Sequence, residues 1–142
     1  MKRIASIVLP ADLENLATFM DASTRVASSA HVDPEKAFNI ELALEEVLVN
    51  IINYAYEEGE GDIQLVFETD KRGWFVIEIT DTGKPFDMTQ VPPPDITTDI
   101  DGRKIGGLGV HFMKTVVDEV VYHRDGNANV LELRFSPVIL DM

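Results

Sequence analysis

Cysteine is absent from the 142 residues, which removes disulfides, thiolate metal sites, iron–sulfur clusters and cysteine nucleophiles from consideration. Basic residues are scarce: 12 Lys and Arg stand against 25 Asp and Glu, giving a formal net charge of −13 and a pI near 4.4. Each phosphate contact of a polyanion needs a cationic partner, so nucleic acid and anionic membrane surfaces are not expected as partners. Long apolar runs are missing too. The N-terminal stretch Ile4 to Leu9 is far shorter than a signal-peptide core and stops at Pro10, so neither an export signal nor a membrane span is expected, and the cytoplasm is the expected location. His31, His111 and His123 lack metal-ligand spacing, and no Ser-His-Asp or paired-carboxylate arrangement can be drawn from spacing.

What is present suffices for a core. Apolar residues make up 45% of the chain, and a chain of this length buries roughly 70% of the surface it exposes when unfolded. One domain over residues 1–142 is the expectation. Arg3 to Leu9 reads as a strand closed by Pro10, and Leu13, Leu16, Ala17, Met20 and Val26 mark a first helix. A second, longest helix opens at Asp33-Pro34-Glu35, where Asp caps the free amides, Pro fits the first turn and Glu suits the dipole; it runs to about Tyr56. Asp62 to Thr69 and Trp74 to Thr80 alternate around Asp70-Lys71-Arg72-Gly73 as a hairpin.

Gly83 to Ile105 then shows no sustained periodicity and contains Pro92-Pro93-Pro94, the mark of a functional lid or a disordered loop. Gly106-Gly107-Leu108-Gly109 leads into a third helix from Val110 to Val117, and strands Val120 to His123 and Val130 to Phe135 flank the turn Asp125-Gly126-Asn127. The order β-α-α-β-β-lid-α-β-β predicts an α+β sandwich of two layers.

Three constellations can carry chemistry. On the second helix Glu46, Asn50 and Asn53 fall within roughly 60° of one another, on the side away from the stripe Ile40, Leu44, Val47 and Ile51. Spacing alone favours a solvated or structural face, although Leu42, Ala43, Val49 and Tyr54 make the helix apolar nearly all round, so that the polar group can line a pocket. At the end of an apolar strand, Asp81-Thr82-Gly83 can accept hydrogen bonds from a ligand amino group and let a flat ring or a backbone approach closely, or can be a plain turn. The three glycines at 106, 107 and 109 can wrap an anion at a helix start, or merely loosen the entry. They are no Walker A loop, since no Lys-Ser/Thr follows.

In order, these boxes resemble the GHKL superfamily of gyrase, heat-shock chaperone, sensor histidine kinase and MutL ATPases over about residues 33 to 135. Glu46-x-x-x-Asn50, Asp81-x-Gly83-x-x-Phe86-Asp87 and Gly106-Gly107-Leu108-Gly109, with a helix ending Val117-Asp118-Glu119-Val120, are most similar to the anti-sigma factor serine/threonine kinases. The resemblance implies a Bergerat-type fold, a mixed, mainly antiparallel sheet covered on one face by three helices, with ATP and Mg²⁺ as cofactors. It implies that Asn50 holds Mg²⁺ at the phosphates, with Asn53 beside it on the same face. Asp81 would accept the adenine amino group, with Gly83 making room and Phe86 adjoining. Gly106, Gly107, Leu108, Gly109 and Val110 would cradle the phosphates under a lid spanning about residues 84 to 105. Arg103 or Lys104 would offset γ-phosphate charge.

Glu46 would be the general base that activates a serine hydroxyl or a water. The implied activity is a protein serine/threonine kinase that phosphorylates a STAS-type anti-anti-sigma protein, sequesters a sigma factor, or does both; homodimerisation is a further family expectation. The alternative is a nucleotide-gated binding module with little or no kinase activity.

Overall fold

Two aspartates set where the helical layer begins. Asp33 Oδ1 accepts the Glu35 N–H at 2.9 Å with Pro34 in the first turn, which starts the long helix as the sequence predicts, and Asp12 Oδ1 accepts the Glu14 N–H at 3.1 Å ahead of the first. The computed structural model describes residues 1–56, 61–90 and 113–137. Along the chain these form β1 (Lys2–Pro10), a 3₁₀ turn at Leu13–Asn15, α1 (Leu16–Ser29), α2 (Pro34–Tyr54), β2 (Asp62–Thr69) and β3 (Phe75–Asp81). A 3₁₀ turn at Met88–Gln90, helical residues 113–116 (α3), β4 (Glu119–Asp125) and β5 (Ala128–Phe135) complete them.

The sheet runs β1-β2-β3-β5-β4, and every pairing is antiparallel. The mixed sheet expected from the resemblance is therefore purely antiparallel among the described strands. The reason is topological. β3 and β4 run in the same direction, but the β4–β5 hairpin folds so that β5 lies between them, and no parallel pair forms. Phe67, Ile77, Ile79, Leu131 and Leu133 on one sheet face join Phe19, Ile40, Leu44, Val47, Leu48 and Met113 from the helices in one buried cluster, giving the two-layer α+β arrangement. Among the described residues no helix is long and apolar enough to cross a membrane.

α1 ends in a tight return. The Val32 N–H reaches Ala27 O at 3.0 Å and the His31 N–H reaches Ser28 O at 3.1 Å, with His31 at φ 59° where glycine is usual. His31→Gly is expected to raise the unfolding free energy by about 0.5–1 kcal/mol in urea denaturation, because the left-handed conformation costs a side-chain-bearing residue energy.

α2 is fastened at both ends. Near its start the Lys36 ammonium donates to Asp118 Oδ2 at 2.9 Å, and the same oxygen accepts the Ser136 N–H at 2.9 Å. Desolvation works against the charged Asp118, but the hydrogen bonds from Lys36 and Ser136 and the Lys36 charge outweigh it, holding this carboxyl below its ordinary range. At the far end Ala55 O accepts the Lys84 N–H at 3.1 Å.

Candidate functional site

The polar residues of α2 occupy a gradient rather than an outward face. At 100° per residue, Asn50 lies about 20° beyond the buried Ala43, Glu46 about 40° further, and Asn53 about 20° beyond that. Exposure follows this order: Asn50 is only 7% exposed, Glu46 is half-buried and Asn53 is exposed. Asn50 therefore belongs to the rim of the core, a correction to the expectation that all three point away from it. Burial pushes the Glu46 carboxyl above its ordinary pKa, and the charge of Glu45 adds to the effect.

The segment after β3 is tied by hydrogen bonds to α2, β4 and β5. Asp81 is buried, and its Oδ1 accepts the Gly83 N–H at 2.9 Å and the Asn129 amide at 3.0 Å. Gly83 is required for space: a Cβ there would lie 2.3 Å from Ala55 O and 2.7 Å from Ala55 Cβ. Of the two close approaches the sequence allows at Gly83, a flat ring or a backbone, the fold shows the backbone one, which seats β3 against the end of α2. Tyr56 closes the same corner, its hydroxyl donating to Asp62 O at 2.6 Å and accepting the Thr82 N–H at 2.8 Å. Arg124 Nη1 donates to Gly83 O at 3.0 Å from β4.

The fold thus brings the Asp81 box against the C-terminal end of α2, with Asn50 five residues before Ala55, about 7 Å back along the helix axis. Phe86 is 42% exposed, and its N–H is held by Asn129 Oδ1 at 3.2 Å. The first part of the expected lid is anchored: Met88 is buried, and the Lys114 ammonium donates to Thr89 O at 3.1 Å. The remainder of the lid with Arg103 and Lys104, and the glycine segment Gly106, Gly107, Leu108, Gly109 and Val110, lie outside the described residues. Among the described residues no group of three or more His, Asp or Glu is placed to hold a metal ion.

Sequence reasoning missed Asn129, Tyr122, Arg124 and Tyr56. A signal for Asn129 existed: Leu131 and Leu133 set the inward phase of β5, and two residues back that phase places an amide in the core, directly opposite Asp81 in register.

Comparison with known proteins agrees with this fold. The chain is 25% identical over 137 residues to the serine-protein kinase RsbW of Listeria monocytogenes serovar 1/2a, covering 92% of this chain and 85% of that protein. It is 26% identical over 131 residues to the serine-protein kinase RsbW of Bacillus cereus strain AH820, covering 89% and 81%. Among solved structures, the RsbU and RsbW domains of Rv1364c from Mycobacterium tuberculosis superpose with TM-score 0.65 at 12% identity, over 94% of this chain and 33% of that one. The blue-light activated histidine kinase EL346 of Erythrobacter litoralis superposes with TM-score 0.58 at 18% identity, over 92% of this chain and 42% of that one. A model of the histidine kinase-like ATPase domain matches residues 9–135, and the chain belongs to that family.

Proposed function

We propose that the protein is an ATP- and Mg²⁺-dependent regulatory protein serine/threonine kinase of the anti-sigma type, acting on a STAS-type partner, holding a sigma factor, or both. The observation that carries the reading is the meeting of two boxes: buried Asp81, fixed on Oδ1 by two donors, sits where β3 packs on the end of α2, the helix that bears Asn50 and Glu46. The family and the named serine-protein kinases support it.

In this reading Asp81 accepts the adenine amino group. Asn50 would offer one amide oxygen to Mg²⁺, an ion that readily keeps water and phosphate oxygens as its other ligands. Mg²⁺ held there would supply charge neutralisation at the phosphates. Glu46, further along the same helix and kept easier to protonate by its burial, takes the proton of the attacking hydroxyl.

Calorimetric titration with ATP and ADP, with Mg²⁺ and with EDTA, tests the nucleotide site. Saturable binding is expected, weakened about tenfold or more by EDTA or by Asn50→Ala, since one charge-assisted ligand is lost. Absence of nucleotide binding under every condition would sink the proposal. Transfer of labelled phosphate to a co-purified partner separates a kinase from a nucleotide-gated binding module.

A further inference from the structure

Among the described residues Asn129 makes three hydrogen bonds to the Asp81 box, to Asp81, Lys84 and Phe86, yet it stands outside the boxes by which the site was first read. Its Nδ2 donates to Asp81 Oδ1 at 3.0 Å and to Lys84 O at 2.9 Å. Its Oδ1 accepts the Phe86 N–H at 3.2 Å and the Tyr122 hydroxyl at 2.6 Å. An asparagine side chain has two N–H donors and one oxygen with two lone pairs, so all of its capacity is spent on these partners. Nothing is left over for a ligand, and any effect on binding must pass through Asp81.

The amide cannot be turned over. A backbone N–H only donates and a carbonyl only accepts, so Phe86 and Lys84 each dictate which end of the amide faces them. Both choices aim Nδ2 at Asp81. With Gly83 N–H on the same oxygen, Oδ1 is fully engaged, and neither of the hydrogen bonds to Asp81 among the described residues involves Oδ2. Both residues are only 5% exposed, so the arrangement works where hydrogen bonds are least weakened by water.

We infer that Asn129, held by Tyr122, is the positioning residue that turns Asp81 Oδ2 toward the ligand and thereby sets a preference for purines carrying a 6-amino group. This rests on the proposed reading of Asp81 as the base-recognition residue. A general structural role for Asn129 would affect every nucleotide alike; a positioning role acts on base choice.

The test compares binding of ATP with that of purine riboside 5′-triphosphate, which lacks the 6-amino group, by calorimetry with Mg²⁺. Asn129→Asp keeps the shape and both acceptor bonds but replaces the donor facing Asp81 with an acceptor. The wild type should prefer ATP, and Asn129→Asp should weaken ATP about tenfold while leaving the analogue within about threefold, collapsing the preference. Should that variant fail to fold, as judged by thermal melting, Tyr122→Phe carries the test. It removes the shortest bond to the amide and should lower the preference about threefold. A wild type that binds both nucleotides equally would overturn the reading of Asp81 and the inference with it. A wild type that discriminates, beside folded variants that keep full preference or lose both nucleotides alike, would overturn the inference alone.

Discussion

Glu46→Gln is expected to cut phosphate transfer to a protein acceptor about 10²–10⁴-fold, the usual contribution of a positioned general base. ATP affinity should stay within about threefold, because the change removes a group needed in the transition state and not in the bound ground state. The pH profile supplies a second readout. Burial and the charge of Glu45 raise the Glu46 pKa, and a base works only when ionised, so transfer should decline with falling pH at a higher pH than an exposed glutamate would give. Stability has the opposite sense. A group whose folded pKa is raised contributes stability below its unfolded pKa and loses it as pH rises through the folded value. At neutral pH the ionised Glu46 therefore costs stability, and Glu46→Gln should melt higher than the parent, with the gain shrinking toward pH 4. Parental rates of transfer in this variant would remove Glu46 from its role.

Gly83→Ala is the second large expected effect, and its cause is space. The new Cβ would meet Ala55 O at 2.3 Å and Ala55 Cβ at 2.7 Å, and the backbone at the end of a fastened helix cannot step aside as a flexible side chain could. Overpacking of this kind costs about 3 kcal/mol. The Lys84 N–H to Ala55 O bond and the Gly83 N–H to Asp81 bond depend on the same close approach, so nucleotide affinity should be lost with the stability. Urea denaturation alongside calorimetry measures both. Gly126, at φ 59° with open space around it, is a contrast: there alanine would strain a turn without crowding the site. Unchanged stability and affinity in Gly83→Ala would mean that the seat on α2 is not rigid.

What could be read in advance followed the range of the interactions. The α2 cap depends on Asp33, Pro34 and Glu35 alone, and strand alternation depends on neighbours two residues apart, so both were visible in the chain. The two hairpins were visible as well. Which arm of the second lies inside the sheet depends on pairing between β3 and β5, which no local pattern encodes, and a mixed, mainly antiparallel sheet is expected where the described strands all pair antiparallel. Periodicity likewise placed Asn50 opposite the core, because it weighs a residue's angle and not the reach of the core around the helix. Asn129 was hidden twice. Its bond to Asp81 spans 48 residues, and the final strand was expected to begin at Val130 when it begins at Ala128.

The fastening of α2 at Lys36 and at Ala55 makes the helix a gauge with a fixed zero. Measured from Ala55, the graduations fall at Asn50, about 7 Å along the axis, and at Glu46, about 13 Å along it, both on one narrow arc. In the proposed reading, with the adenine at Asp81, those marks would set how far along the phosphate chain Asn50 could hold a metal ion and Glu46 could take a proton. One residue inserted between Asn50 and Ala55 would lengthen the scale by only about 1.5 Å, but it would turn both marks by about 100°. The tolerance of this site to length change is therefore set by rotation, and a substitution at the partly exposed Val49 should be accepted where an insertion or deletion is not.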